Sequence, residues 1–431
     1  MRGTKIRLTI ILLLMLSLVL TAGNPTGAKE QVTISLLSQT ASADCVAVQI
    51  AEFEKLHPHI RVESLFMTGG WQDKLVTEML AGTAPDAFEF WSPFNQQLRQ
   101  RGLLLNLTPY MQRDFTAEDI ADFFPTVWET SFTRIGPQAG SQFIMPRYIN
   151  VMVFHYSIDR FRAAGLSEPL DLDARGEWNW QTLRDSARKL TIRDGAQVTH
   201  YGAVISISSL PRVLNWIWGA GGDLIDPNDP SKFVGDTPEA EAGVQFICDM
   251  IWQDGSASPT FSSGLFINGT VGILEDGMGV VPTLRKRIGD NFRWNSVRRA
   301  EGPAGRPGYL VDDSYGIWAE SPHPDETWEL VKFLVSREGQ EIMVKYSGYP
   351  PVRRSAVRAY LNLAPDHNLR AFADAVADSR PTIFSRMQGD IATLYSTLWA
   401  MLTSVLNNSQ PYRVAVEAYR SQIEALLAEA R

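Results

Sequence analysis

The sequence predicts an α/β protein built as two domains. Short apolar strands and amphipathic helices alternate from residue 30 onward, the pattern of a parallel sheet flanked by helices. The chain also has 431 residues, more than one small core organises. Its 45% hydrophobic and 20% charged residues are ordinary for a globular protein.

Val32, Ile34 and Leu36 alternate with polar residues and predict a first strand. Val46, Ile50 and Phe53 then recur on one helical face. Pro58 breaks the chain before a second strand at 60–66. A helix over 71–80 stops at Gly82, and 86–91 reads as a third strand. Further on, 143–145 and 151–156 are apolar runs around a polar, proline-containing break. Trp180, Leu183, Ala187 and Leu190 mark an amphipathic helix, and 201–207 a strand. Thr237-Pro238-Glu239 combines an N-cap, proline at the first helical position and an acid in the first turn. Val244, Ile247 and Ile251 continue that helix. The Gly- and Pro-rich stretch 302–308 reads as a linker, Trp328, Val331 and Val335 as a helix, and the residues from about 412 as a final polar helix. No repeat of 20–50 residues is visible.

The leader is tripartite: Arg2, Lys5 and Arg7, then an apolar run over 8–20, then the small residues Thr26-Gly27-Ala28. That is a secretory signal with a cleavage site, expected to occupy 1–28. The net charge is −8; without the leader, 37 bases face 48 acids, giving −11. Phosphate recognition wants a basic face, so the acidic balance argues against nucleic acid. Cys45 and Cys248 are the only cysteines. Neither is close to the cleavage site, so no thiol is placed to carry a lipid, and a soluble periplasmic protein is expected. Two thiols in an oxidising compartment could pair; two buried, unpaired side chains are the simpler expectation.

Catalytic signatures are thin. There is no Gly-x-Ser-x-Gly elbow, no His-Glu-x-x-His and no phosphate loop ending in Gly-Lys-Ser/Thr. Gly277-Met278-Gly279 begins like a dinucleotide loop, but Pro282 stands where the third glycine belongs. His57-Pro58-His59 lacks the cluster that would complete a metal site and reads as a turn. No cofactor is expected. Seven bases between Arg285 and Arg306 read as a solvated surface. The twelve tryptophans point elsewhere. Trp71, Trp91, Trp216 and Trp218 sit beside polar or small residues, and sugars want flat apolar platforms with polar side chains at the rim.

Five segments in order resemble the family 1 extracellular solute-binding proteins of bacterial ABC importers, the group that includes maltose-binding protein. They are AEFEKLHPHIRVE, EMLAGTAPDAFEFWSPFNQQLRQRGLLLNLTPYM, GSQFIMPRYINVMVFHYSIDRFRAAGL, WIWGAGGDLID and PDETWELVKFLVSREGQEIMVKYSGYPPVRRSAV. The resemblance implies two α/β lobes of the periplasmic binding-protein type, joined by a multi-segment hinge with the ligand cleft between them. It places 29–148 and 301–352 in the first lobe and 149–300 and 353–431 in the second. It implies sugar capture by a monomer, delivery to permease subunits and no bond chemistry. An exported lyase or glycosidase using Asp312 or Asp313 with Arg147 is the alternative.

Carried over by position, the resemblance nominates Ser38 and Gln39 after the first strand, and Trp91 and Ser92 after the third. It nominates Arg147, Tyr148 and Asn150 in the first interlobe crossing, and Arg212 and Trp216 ahead of Gly221-Gly222. Asp312, Ser314 and Tyr315 belong to a later strand-turn, and Tyr349 and Arg353 to the Gly-x-x-Pro-x-Arg turn. One departure stands out: where the family often has Asp-Gly-x-Trp, this chain has Asp276-Gly277-Met278-Gly279. That stacking platform is absent, or another aromatic such as Trp218 replaces it.

Overall fold

The computed structural model describes residues 30–91, 94–133, 138–381, 383–387 and 389–429. The expected leader and Ser92 lie outside these residues, as do the side chains of Trp91 and Asp312. No helix among the described residues is long and apolar enough to cross a membrane.

The strands are β1 Val32–Ser38, β2 Ile60–Phe66, β3 Ala87–Trp91, β4 Ile144–Ser157, β5 Ile192–Asp194, β6 Gln197–Val204, β7 Val271–Gly277, β8 Trp294–Val297, β9 Gly308–Ile317 and β10 Ser379–Arg380. They pair in the order β2-β1-β3-β9-β4-β7-β6-β5, with β10 on β9 and β8 on β4. β1 is parallel to β2 and β3, β6 to β7 and β10 to β9, whereas β9 runs antiparallel to β3 and β4, and β4 antiparallel to β7 and β8. The first lobe is therefore a parallel sheet closed by β9. The second is a smaller sheet around β6 and β7.

β4 joins them. Its residues 144–151 pair with β9, and its residues 152–157 pair with β7 and β8. The two apolar runs expected around a break are thus one 14-residue strand. Pro146 has no N–H for the ladder, and the register shifts between Pro146 and Tyr148 to absorb it.

Helices form where the apolar spacing places them. Ala43–Leu56 buries Val46, Ile50 and Phe53, as its periodicity predicts. Trp71–Ala81 ends on Gly82 at φ 74°, a left-handed stop that glycine adopts without strain. Trp180–Leu190 starts from Asn179, whose side chain accepts from the Thr182 N–H, and buries Trp180, Leu183, Ala187 and Leu190. Pro238–Cys248 starts at the predicted Thr237 cap and runs on as a π-turn over Asp249–Gln253.

The stretch 302–308 is not a linker. Gly302 and Gly305 close a tight turn, and a Cβ on Gly302 would stand 2.4 Å from the Gly219 carbonyl oxygen. Gly302 serves close packing, and Gly305 takes the left-handed φ of 99° that the turn requires. The expected basic surface holds for part of its stretch: Arg285, Lys286 and Arg287 are exposed and Arg293 pairs with Asp159 at the surface, whereas the Arg306 side chain is buried on Asp173 and that of Arg299 on Glu275. Both cysteines are buried and unpaired.

Candidate ligand-binding cleft

Between the lobes lies a cleft of about 540 Å³, within the range of small-molecule sites. Gln39, Thr40 and Ala41 enter from the loop after β1, Met67 and Trp71 from the segment after β2, and Phe90 from β3. β4 contributes Tyr148 and Asn150, and β9 contributes Tyr309 and Asp313. The far wall carries Ser209, Pro211 and Arg212, the last two at the start of the helix Leu210–Ala220. Tyr395 reaches in from the helix Ile391–Leu406. Ligands of open α/β sheets gather at the carboxyl ends of parallel strands, where these loops sit.

On the first-lobe side Asp313 is the central group. The Tyr148 hydroxyl hydrogen-bonds to its carboxylate, and the Gln39 amide approaches it at 3.5 Å. Burial pushes the Asp313 pKa up, opposed by the charge of Arg147 and by the Tyr148 hydrogen bond. The Tyr148 ring stacks on Tyr349 with centroids 4.4 Å apart and planes 15° off parallel. A Cβ on Gly279 would lie 3.6 Å from the Tyr349 ring, so that tyrosine is the aromatic beside the position where the tryptophan platform is missing. Trp218 does not take this part; it is 1% exposed in the second-lobe core, with Arg380 over its ring.

Across the cleft, Arg212 pairs with Asp276 at 3.3 Å and donates to the Ser206 hydroxyl at 2.5 Å. Its guanidinium also lies over Phe261. Each wall therefore offers charge-bearing hydrogen-bonding groups beside aromatic faces.

Of the residues nominated from sequence, the structure brings Gln39, Tyr148, Asn150 and Arg212 to the cleft lining. Tyr349 stands directly behind Tyr148. Ser38 is fully buried at the end of β1, and Ser314 is buried in β9. Trp91 and Asp312 are placed by their backbones only, opposite Asp313 and Ile149 respectively.

Four nominated residues are structural in their surroundings. Arg147 is 2% exposed; its guanidinium pairs with Glu89 at 3.1 Å and donates to the Ser42 hydroxyl at 2.6 Å. Tyr315 is buried beside it. Trp216 is fully buried among Trp180 and Phe246, and its indole N–H donates to Glu275 at 3.1 Å. Arg353 donates to the Val335 carbonyl at 2.5 Å, contacts Asp122 at 3.3 Å and covers the Phe123 ring.

The resemblance did not nominate Thr40, Ala41, Met67, Trp71, Phe90, Ser209, Pro211, Tyr309, Asp313 or Tyr395, although Trp71 stands among the tryptophans singled out as sugar platforms and Asp313 among the carboxylates of the enzyme alternative. Strand parity could have found two of them. Residues 309 and 313 lie on one face of β9 by its two-residue period, whereas 312 and 314 lie on the other.

Comparison with known proteins agrees with this architecture. The sequence profile of the bacterial extracellular solute-binding proteins matches residues 42–341. A relative from Brucella abortus strain 2308 is 24% identical over 420 residues, covering 89% of this chain and 94% of the relative. An ABC substrate-binding protein from Listeria monocytogenes, solved with cycloalternan, superposes with a TM-score of 0.79 at 19% identity, covering 93% of this chain and all of that one. The sugar-binding protein MalE of Xanthomonas citri gives a TM-score of 0.76 at 21% identity, covering 92% and 97%. A solute-binding protein of Thermotoga lettingae bound to α-D-tagatose gives 0.75 at 20% identity, covering 93% and 100%.

Proposed function

Because the chain belongs to the bacterial extracellular solute-binding proteins, we propose that it captures a sugar or oligosaccharide in the interlobe cleft and delivers it to the permease of an ABC importer. The observation that supports this reading best is the lining itself. Trp71, Tyr148, Tyr309 and Tyr395 contribute aromatic side chains, and Asp313, Asn150, Gln39 and Arg212 contribute hydroxyl partners from both lobes. Sugars present apolar C–H faces and a rim of hydroxyls, and such a lining matches both. Solved structures of similar fold carry cycloalternan and tagatose, which agrees with this chemistry.

The family is extracellular, so the chain is exported; on this reading it works as a monomer in the periplasm. Two halves contribute contacts, so the ligand stabilises the closed arrangement over the open one. The bend falls within β4 near residue 151 and within β9 near residue 310, where each strand passes from one set of partners to the other. The family and the solved relatives are binding proteins. That this chain leaves its ligand chemically intact is part of the proposal. Glycoside hydrolysis needs two carboxyl groups facing across a bond, and the described lining supplies one, Asp313.

Calorimetric titration of the mature protein with mono-, di- and oligosaccharides tests the proposal, with the solutions checked afterwards by mass spectrometry. Saturable one-to-one binding of a sugar recovered unchanged is the expected result. Absence of binding across the panel, or a sugar recovered cleaved, would sink the reading.

A further inference from the structure

A second polar site lies away from the cleft, where the helix Phe94–Gln100 meets the segment Ile383–Arg386. Arg99 is at its centre, 7% exposed. A buried guanidinium ordinarily carries a carboxylate partner, because an unpaired charge in a protein interior is costly. Arg99 has none among the described residues: no ion pair and no side-chain hydrogen bond, and its Nη2 is fully buried without a partner. Burial lowers its pKa, and no neighbouring charge acts against that. The pattern contrasts with Arg147 and Arg299, which are more deeply buried and each matched to a glutamate.

The space in front of Arg99 is bounded by Asn95, Gln96, Ser131 and Thr133. The Asn95 amide and the Thr133 hydroxyl make no hydrogen bond to another described residue, so both retain donors that can turn toward a ligand. The Gln96 amide is already committed to the Met387 carbonyl and ties the two segments together. The cavity measures about 20 Å³, which is room for one water-sized or halide-sized particle and far too little for a sugar. Its described lining includes no carboxylate.

From this juxtaposition of a buried, unpaired guanidinium with neutral donors around a one-particle cavity, we propose that the Arg99 pocket binds a small monovalent anion of the size of chloride. A bound anion neutralises Arg99 and links the helix Phe94–Gln100 to the segment beginning at Ile383. It therefore stabilises the folded chain by binding the native state alone. Water could fill the same volume but would leave the charge uncompensated.

The experiment is thermal unfolding of the full mature chain in sodium chloride against sodium gluconate at matched ionic strength. The Arg99→Gln and Thr133→Val variants are run beside it, with chloride-35 NMR linewidths on the native protein. We expect a saturable rise in the wild-type midpoint of about 2 °C or more in chloride. Excess line broadening should accompany it, and both should be lost in Arg99→Gln and weakened in Thr133→Val. Identical midpoints in the two salts with no excess broadening would overturn the proposal. So would a chloride effect that persists undiminished in Arg99→Gln. Should Arg99→Gln fail to fold, the wild-type salt comparison and the Thr133→Val variant still decide the matter.

Discussion

His155 offers a sharp test of how the second lobe is held together. It lies in the part of β4 that pairs with β7 and β8, fully buried, with Nδ1 2.8 Å from the Ser296 hydroxyl and Trp294 edge-on at 5.9 Å. Burial drives its pKa from 6.5 down to about 3, outweighing the opposing pull of the Gly277 backbone. The unfolded chain takes up this proton near pH 6.5, and the folded chain resists it until about pH 3. The neutral ring therefore contributes its full stability above pH 6.5 and loses it as the pH falls toward the folded value. At 1.36 kcal/mol per unit, the loss between pH 7.5 and 4.5 is about 3 kcal/mol, and about 5 kcal/mol once both states are protonated. Glu89, Glu275, Asp276 and Asp313, all shifted up by burial, work in the opposite direction over the acid range. The His155 share must therefore be isolated by difference. Urea unfolding of wild type and His155→Gln at both pH values supplies that difference, whatever the variant costs at pH 7.5. Wild type should lose about 3 kcal/mol more than the variant on acidification. Parallel losses in the two proteins, within about 0.5 kcal/mol, would refute the claim that the buried imidazole stays neutral.

Asp313→Asn should weaken ligand binding about 10- to 150-fold in calorimetry, the loss of one charge-assisted hydrogen bond, with the fold retained by circular dichroism. Trp71 is the one tryptophan in the described cleft lining. Trp71→Phe should accordingly remove most of the ligand-induced fluorescence change while costing about tenfold or less in affinity. Trp216→Phe should destabilise the second lobe by about 1–3 kcal/mol in chemical denaturation yet leave affinity within about twofold, since the ring packs on Trp180 and Phe246 instead of facing the ligand. Burial pushes the Cys45 and Cys248 thiols up to about 12 and about 11, so a thiol reagent at pH 8 should label neither in the native protein and both in denaturant.

The elements easiest to read from sequence were those whose periodicity is set by one exposed and one buried face. The helices Ala43–Leu56 and Trp180–Leu190 and the strands β1 and β2 show such patterns and fold as expected, while β3, buried on both faces, is legible as a short run between turn residues. β4 was harder, because nearly every residue in it is buried and alternation vanishes when a strand is covered on both sides. The same reason hid the role of Trp216. The helix Leu210–Ala220 is apolar almost all round and buried on every side except near Arg212, so its tryptophans belong to the core. Arg147 was illegible for a different reason. Its partner Glu89 lies 58 positions earlier, and only the pairing of β3 and β4 with β9 brings the two strands into one neighbourhood.

The two walls of the cleft are held by one device used twice. Glu89 follows the Leu37–Phe88 pair of the parallel strands β1 and β3, accepts the N–H of Gln39 at 2.9 Å and pairs with Arg147. Glu275 follows the Val204–Leu274 pair of the parallel strands β6 and β7, accepts the N–H of Ser206 at 3.0 Å and pairs with Arg299. Each glutamate is fully buried and catches the first backbone donor to leave the ladder at the carboxyl end of a strand. Losing one would strand an arginine charge in the interior, a penalty of about 3–5 kcal/mol, so the loops beyond Gln39 and Ser206 are firmly anchored at their origin. Gln39 then faces Asp313, and Ser206 receives Arg212. Arg147 and Trp216 serve the two glutamates, the former as counter-ion and the latter as donor, and so form the layer that positions the lining.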